Sequence, residues 1–156
     1  MYIRRYTHYD HAACLNIFKS NCSHYFDASE QSYLEAWLTA QDNGMLVYES
    51  NLSEDFFVLE QEDKVVACGG FYLPRNNLIA NMVWGMVHAA FHKQGFGTAM
   101  FAYRIEKIKE LDTTRAIVLD TSQHTFRFFE SFGFEKVKIT ADAYGEGLHR
   151  YDMILK

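Results

Sequence analysis

The twelve residues Val87-His-Ala-Ala-Phe-His-Lys-Gln-Gly-Phe-Gly-Thr98 gather two histidines, a lysine, a glutamine and two glycines into one short segment. A mostly apolar run, Leu78–Val87, reads as a strand leading into it, and a strong helical pattern starts at Gly95 and Gly97. Strand, glycine loop and helix N-terminus in that order build an anion site. The first N–H groups of a helix have no partner within it, and the dipole adds partial positive charge there. Gly97 has no Cβ, so a phosphate oxygen can approach the main chain closely. Two familiar phosphate loops do not fit. G-x-G-x-x-G would need a third glycine where Met100 stands, and a Walker loop would need a lysine after Gly97, where Thr98 stands.

Other reactive side chains are scattered. Asp120 ends the apolar run Ala116–Leu119, at the strand end where α/β proteins place ligand chemistry. It either takes a proton in a reaction or caps the helix that follows. His124 reads as a base or, more simply, as a surface residue at a helix start. His88 and His92 lie on a strand end and a loop and do not converge as metal ligands, and His8 and His11 flank Asp10 as solvated helix-start residues. No metal site is expected. Trp37, Tyr33 and Trp84 read as core or pocket wall. Cys14, Cys22 and Cys68 are an odd number without C-x-x-C spacing, which fits free, unpaired thiols in a reducing, cytoplasmic compartment.

The bulk numbers narrow the class. With 156 residues, nearly half of them apolar, the chain fits one domain with a real core, and glycine and proline are sparse. A net charge of −5 without a long basic run leaves no electrostatic footprint for nucleic acid. The longest nearly apolar stretch, Leu78–Phe91, is interrupted by Asn81 and His88 and is too short to span a bilayer. The start, Met-Tyr-Ile-Arg-Arg-Tyr, lacks the apolar core of a signal peptide. No membrane partner is expected.

The elements that must hold these residues follow from periodicity. Tyr2–Tyr6 reads as a strand, and Asp10 as the N-cap of a helix carrying Cys14, Leu15, Ile17 and Phe18. Asp27-Ala-Ser-Glu30 fits a capping box ahead of a second helix with Tyr33, Leu34, Trp37 and Leu38, stopped at Asp42-Asn43-Gly44. Residues 45–54 read as loop. Phe56–Glu60, Lys64–Leu73 and Leu78–Val87 form a three-strand meander, with Gly85 marking a bulge or a close backbone approach. The helix after the loop shows Thr98, Phe101, Ala102, Ile105 and Ile108 as its apolar face. The strand Ala116–Leu119 then pairs parallel to the third meander strand through a right-handed crossover. Thr125, Phe128, Phe129 and Phe132 predict a fourth helix stopped by Gly133, and Phe134–Thr140 and Leu148–Leu155 close the chain as two strands.

The loop resembles, residue by residue, the pyrophosphate loop of the GNAT superfamily of acyl-CoA-dependent N-acyltransferases. That pattern is a strand ending in Val-His-Pro, then Arg/Gln-x-x-Gly-x-Gly/Ala and a helix. Here Val87-His88 closes the strand and His92-Lys93-Gln94-Gly95-Phe96-Gly97 fills the loop, with His92 at the usual Arg/Gln and Ala89 at the usual Pro. A second motif, Asn-x-x-Ala-x-x-Leu-Tyr-Glu-Lys-x-Gly-Phe, is similar to Ser122–Phe134, with Glu130 and Gly133-Phe134 in place. The stretches Trp84–Val87 and Leu119–Phe134 also look like a bacterial subgroup of uncharacterised GNAT proteins. The resemblance covers the element order end to end. It implies a single GNAT-type α/β domain over residues 1–156, with a mixed, mostly antiparallel sheet splayed at its central parallel pair and four flanking helices.

What the resemblance further implies is acetyl-CoA as co-substrate and a small-molecule or protein amine as acceptor, in a monomer or a homodimer. Its pyrophosphate would lie on the amides of Gln94 to Thr98, and its pantetheine arm along Met86, Val87 and His88. His92, Lys93, Gly95, Phe96, Gly97, Ser122 and Phe129 complete the expected cofactor set. A free amide near Gly85–Val87 would face the developing oxyanion, and Asp120 and Tyr144 are the candidates for proton transfer. Phe129 stands where the family commonly has the tyrosine that protonates the leaving thiolate, so Tyr144, Tyr151 or a water would have to take over. The same substitution keeps a second reading open, a non-catalytic acyl-CoA-binding sensor or scaffold.

Overall fold

A computed structural model describes all 156 residues. Seven strands form one mixed sheet: β1 (Tyr2–Arg5), β2 (Asn51–Gln61), β3 (Lys64–Pro74), β4 (Ile79–Val87), β5 (Ala116–Thr121), β6 (Glu135–Gly145) and β7 (Leu148–Leu155). Their order is β1-β2-β3-β4-β5-β7-β6, and every neighbouring pair is antiparallel except β4 with β5. Four α-helices flank it: α1 (His11–Asn21), α2 (Gln31–Asp42), α3 (Phe96–Lys109) and α4 (Phe126–Glu130).

Strands β2 and β3 are buried on both faces because both sides of the sheet are covered. On one face Phe57, Leu59, Phe71 and Leu73 pack with Met100, Phe101 and Ile108 of α3. On the other, Phe56, Val58, Cys68 and Met86 pack with Cys14, Ile17, Phe18, Leu34, Trp37 and Leu38 of α1 and α2. The tight turn between β2 and β3 places Glu62 and Asp63 at φ 50° and 62°, the pair of left-handed residues a two-residue hairpin needs.

The structure corrects several expectations. β2 begins at Asn51, inside the segment read as loop, and Glu54 anchors its start by accepting from the Val47 N–H at 2.8 Å and Asn51 Nδ2 at 2.7 Å. Asp10 stands at the N-cap of α1 but turns its carboxylate back to Arg4 and the Thr7 N–H. His11 is not a solvated helix-start residue, for its Nδ1 lies 2.6 Å from Asp42 Oδ2 at the end of α2. In α3 the buried face is Phe96, Met100, Phe101, Arg104 and Ile108, whereas Thr98 and Ala102 are exposed. An arginine thus occupies the middle of a face that apolar periodicity alone would trace one residue away. The capping box holds: the Ser29 N–H donates to Asp27 at 2.9 Å, and Glu30 Oε2 accepts from the Asp27 N–H at 3.0 Å.

Candidate active site

The parallel pair is short. β4 and β5 are in register only at Ile79–Ala116, Ala80–Ile117 and Asn81–Val118, after which the two strands part. The parting leaves a cleft between the C-terminal halves of β4 and β5. On the β3 side, β4 carries a bulge: Gly70 faces Val83 and Cys68 faces Met86, so Gly69 alone opposes Trp84 and Gly85. Trp84, a bulky aromatic, is held at φ 51°. Such backbone costs on the order of 1–3 kcal/mol and clusters at sites where the surrounding structure enforces it.

The bulge and the ladder decide which main-chain groups the cleft receives. The His88 N–H donates to the Val66 carbonyl at 2.8 Å. By the alternation of an antiparallel ladder, Met86 and His88 therefore turn their main-chain groups to β3, while Val87, and Gly85 at the bulge, turn theirs to the open edge. The Val87 carbonyl there already accepts from Asn21 Nδ2 at 2.9 Å and His92 Nε2 at 2.8 Å. Of Met86, Val87 and His88, only Val87 thus has its main-chain groups turned away from β3. Asn21, buried in the last turn of α1, was not singled out from sequence. Ser20 Oγ also accepts from the Ala89 N–H at 3.0 Å, so the end of α1 fixes the end of β4.

Beyond β4 the chain makes a single 3-10 turn, Ala89–Phe91, capped by His88 Nδ1, which accepts from the Ala90 N–H at 3.1 Å. Lys93, Gln94 and Gly95 are exposed, and Gly95 adopts φ 86° as the N-cap of α3. A Cβ at Gly95 would meet nothing within 4 Å, so the loop is open to solvent at that point. The Gly95 carbonyl accepts from the Ala99 N–H at 3.1 Å, which starts the helix and leaves the amides of Phe96, Gly97 and Thr98 without intrahelical partners. The Phe96 side chain is buried and anchors this turn, so its amide stays in place. A helix N-terminus beside the mouth of a cleft fits a pyrophosphate.

At the opposite lip, the Tyr144 hydroxyl donates to the Asp120 carboxylate, and Arg150 Nη2 lies 3.8 Å from the same group. The structure therefore brings the two expected proton-transfer residues together. Asp120 does not cap α4, whose N-cap is Thr125 with no side-chain hydrogen bond; in the loop before it, Ser122 Oγ accepts from the His124 N–H at 3.2 Å. Ser122 is buried and its hydroxyl is turned into that loop. Burial first, and then the Asp120 charge, raise the Tyr144 hydroxyl well above its ordinary value of 10, so it stays protonated at neutral pH. Glu30 approaches from the turn before α2: burial raises its carboxyl from 4.5 to about 6, a hydrogen bond from the Asp27 N–H opposes the shift, and the Asp120 charge adds to it. Gly145 at φ 151° abuts Asp27, where a Cβ would come within 2.8 Å of Oδ1, so the β6–β7 hairpin leans on this turn.

His124 is exposed, its ring stacked 4.2 Å from His24, and burial first and then His24 lower its pKa. Phe129 is half-buried among Phe101, Phe128 and Phe134, with centroids at 5.0, 5.1 and 6.4 Å. Tyr151 stacks on Phe126 at 4.6 Å. All three cysteines are free; Cys14 and Cys68 are fully buried, and a hydrogen bond with Cys68 and burial push the Cys14 thiol far up.

Comparison with known proteins agrees with this architecture. A protein of the GNAT family from Desulfovibrio desulfuricans superposes with a TM-score of 0.79 at 18% identity, covering 99% of this chain and 98% of that one. The ribosomal-protein-alanine N-acetyltransferase of Brucella melitensis gives 0.75 at 17% identity, covering 99% of each chain. The yncA protein of Salmonella typhimurium, solved with its cofactor acetyl-CoA, gives 0.76 at 18% identity, covering 100% of this chain and 93% of that one. At these identities the likeness is one of fold. No curated protein matches the sequence. The family model described as an acetyltransferase (GNAT) domain matches residues 53–136, from β2 through the cleft, α3 and α4 to the start of β6, and the chain belongs to the GNAT acetyltransferase family.

Proposed function

We propose that this protein transfers an acetyl group from acetyl-CoA to a primary amine by direct attack within a ternary complex. The observation that carries the reading is the free N-terminus of α3 beside the point where β4 and β5 part after Asn81 and Val118. The pyrophosphate would rest on the amides of Phe96, Gly97 and Thr98, with Lys93 and Gln94 at the rim. The thioester would enter the cleft, where the amides of Gly85 and Val87 are turned toward the open edge. One of them would stabilise the oxyanion.

Asp120, Tyr144 and Glu30 converge on the far lip, and the Asp120 charge disfavours ionisation of Glu30. An incoming amine arrives as an ammonium ion and relieves that repulsion. Asp120 would accept one proton of the ammonium, directly or through water, and the second would pass to water as the C–N bond forms. As the C–S bond breaks, Tyr144 would give its proton to the departing thiolate and take the one held by Asp120 across their hydrogen bond. A thiol with a pKa of roughly 8.5 leaves without much help, and acid assistance adds about 10²–10⁴ in rate. Cys14 and Cys68 are fully buried and burial raises the half-buried Cys22 thiol, which supports direct transfer without an acyl-enzyme.

The test is a broad panel of amine acceptors, small molecules and peptides, with detection of free CoA thiol. Release that depends on an amine supports the enzyme. Tight acetyl-CoA binding with no release on any acceptor favours the sensor reading that Phe129 keeps open.

A further inference from the structure

Arg104 lies on the sheet-facing side of α3 with 4% of its surface exposed, and it forms no salt bridge. Its Nη1 donates to the Gly70 carbonyl at 3.1 Å and reaches the Val83 carbonyl at 3.5 Å, so it holds the two residues that border the β4 bulge. Its Nε has no partner. Burial lowers its pKa to about 10, which leaves it charged at neutral pH.

The sheet has been hollowed out to receive it. A Cβ at Gly69 would stand 2.8 Å from Cζ and Nε, and a Cβ at Gly85 would overlap Nη2. Gly85 is exposed on its other side, on the strand that borders the cleft. At Gly85 the main chain thus has the buried guanidinium on one side and solvent on the other. An uncompensated buried cation is expensive to keep, and an apolar side chain of similar volume would be neutral or stabilising in its place.

We propose that Arg104 is a positioning residue of the acyl-transfer site. It fixes the Trp84–Gly85 bulge and sets a positive charge behind it, where the thioester carbonyl oxygen gains negative charge as the amine attacks. The inference rests on the acyl-transfer reading above and adds to it the group that preorganises the oxyanion site. The charge acts through the peptide layer and is not donated to the substrate, so its effect falls below that of a direct oxyanion donor, whose removal costs about 10²–10³ in kcat.

The test compares Arg104→Met and Arg104→Lys with the wild type in three measurements. The first is thermal stability with acetyl-CoA affinity. The second is isotope-edited infrared spectroscopy of acetyl-CoA labelled at its thioester carbonyl carbon. The third is kcat and KM on any acceptor found. Arg104→Met should melt at or above the wild-type temperature and bind acetyl-CoA equally. It should lack the carbonyl red-shift expected of the wild type and lower kcat by roughly 10–10² at unchanged KM. Arg104→Lys, which keeps charge but not the fork, should recover part of both. A Met variant that folds with the wild-type carbonyl frequency overturns the proposal. So does a loss of stability and acetyl-CoA affinity together in both variants, which marks a purely structural arginine. If the wild type binds no acetyl-CoA, the acyl-transfer reading fails first and takes the proposal with it. The infrared comparison decides the matter even if no acceptor is found.

Discussion

The hydroxyl of Tyr144 donates to the carboxylate of Asp120 at the end of β5, joining a residue of the terminal hairpin to one on the strand that forms half of the cleft. Each constrains the other in a different way. The carboxylate keeps the phenol protonated, and the phenol gives the carboxylate a fixed orientation.

On the proposed acyl-transfer reading, this pairing makes Tyr144 the acid in place of a tyrosine at position 129. Tyr144→Phe should lower turnover by about 10² or more, within the range for general acid loss. Phe129→Tyr should leave it nearly unchanged, because that ring is held in the aromatic cluster of Phe101, Phe128 and Phe134. Steady-state rates on one acceptor check both. A faster Phe129→Tyr protein together with a neutral Tyr144→Phe would reverse the assignment.

Glu30 gives a pH-dependent stability prediction. Its folded-state pKa is raised from 4.5 to about 6, so the neutral form is favoured on folding. The associated stability is fully present below about pH 4.5 and is lost as pH rises through 6. Glu30→Gln keeps the oxygen that accepts from Asp27 and removes the charge. It should stabilise the protein at pH 7 by about 1 kcal/mol after allowance for partial solvation, or roughly 2–4 °C in Tm. At pH 4 the gain should vanish. Thermal melts at the two pH values measure it, and an equal gain at both would refute the charge explanation.

Gly85 and Arg104 should be energetically coupled. Gly85→Ala puts a methyl group into the guanidinium and should cost about 1–3 kcal/mol, the usual range for overpacking a core. In an Arg104→Met background the same substitution should cost less. A double-mutant cycle by chemical denaturation measures the difference, and strictly additive costs would mean that the two residues do not compete for the same space.

Much of the fold is legible in local signals. The meander, the glycine loop and the crossover to β5 follow from short-range patterns, as do the capping box at Asp27–Glu30 and the bulge at Gly85. What was not legible depends on distant partners. β7 enters between β5 and β6, a pairing that no hairpin signal announces. The start of β2 is polar and takes its order from Glu54, so apolar patterning misses it. Arg104 lies outside the apolar period read for α3, and its burial depends on Gly69, Gly70 and Gly85, which surround it from distant strands. Asn21 looks like a helix end and proves to hold the Val87 carbonyl. At the site, the loop 92–98, Asp120 and Tyr144 are legible in the sequence, whereas Glu30 reads only as part of a capping box. Its closeness to Asp120 joins the turn before α2 to the end of β5, residues far apart in the chain.

The most direct measurement is calorimetric titration of acetyl-CoA into the wild type and Gly97→Glu. The variant should fold, because a Cβ there meets only Val87 Cγ2 at 3.6 Å, and a carboxylate in the first turn of α3 suits the helix dipole. That same carboxylate would occupy the free amides and repel a pyrophosphate. The account predicts saturable binding by the wild type and its loss in the variant at unchanged Tm. Equal affinity in the two proteins would contradict it.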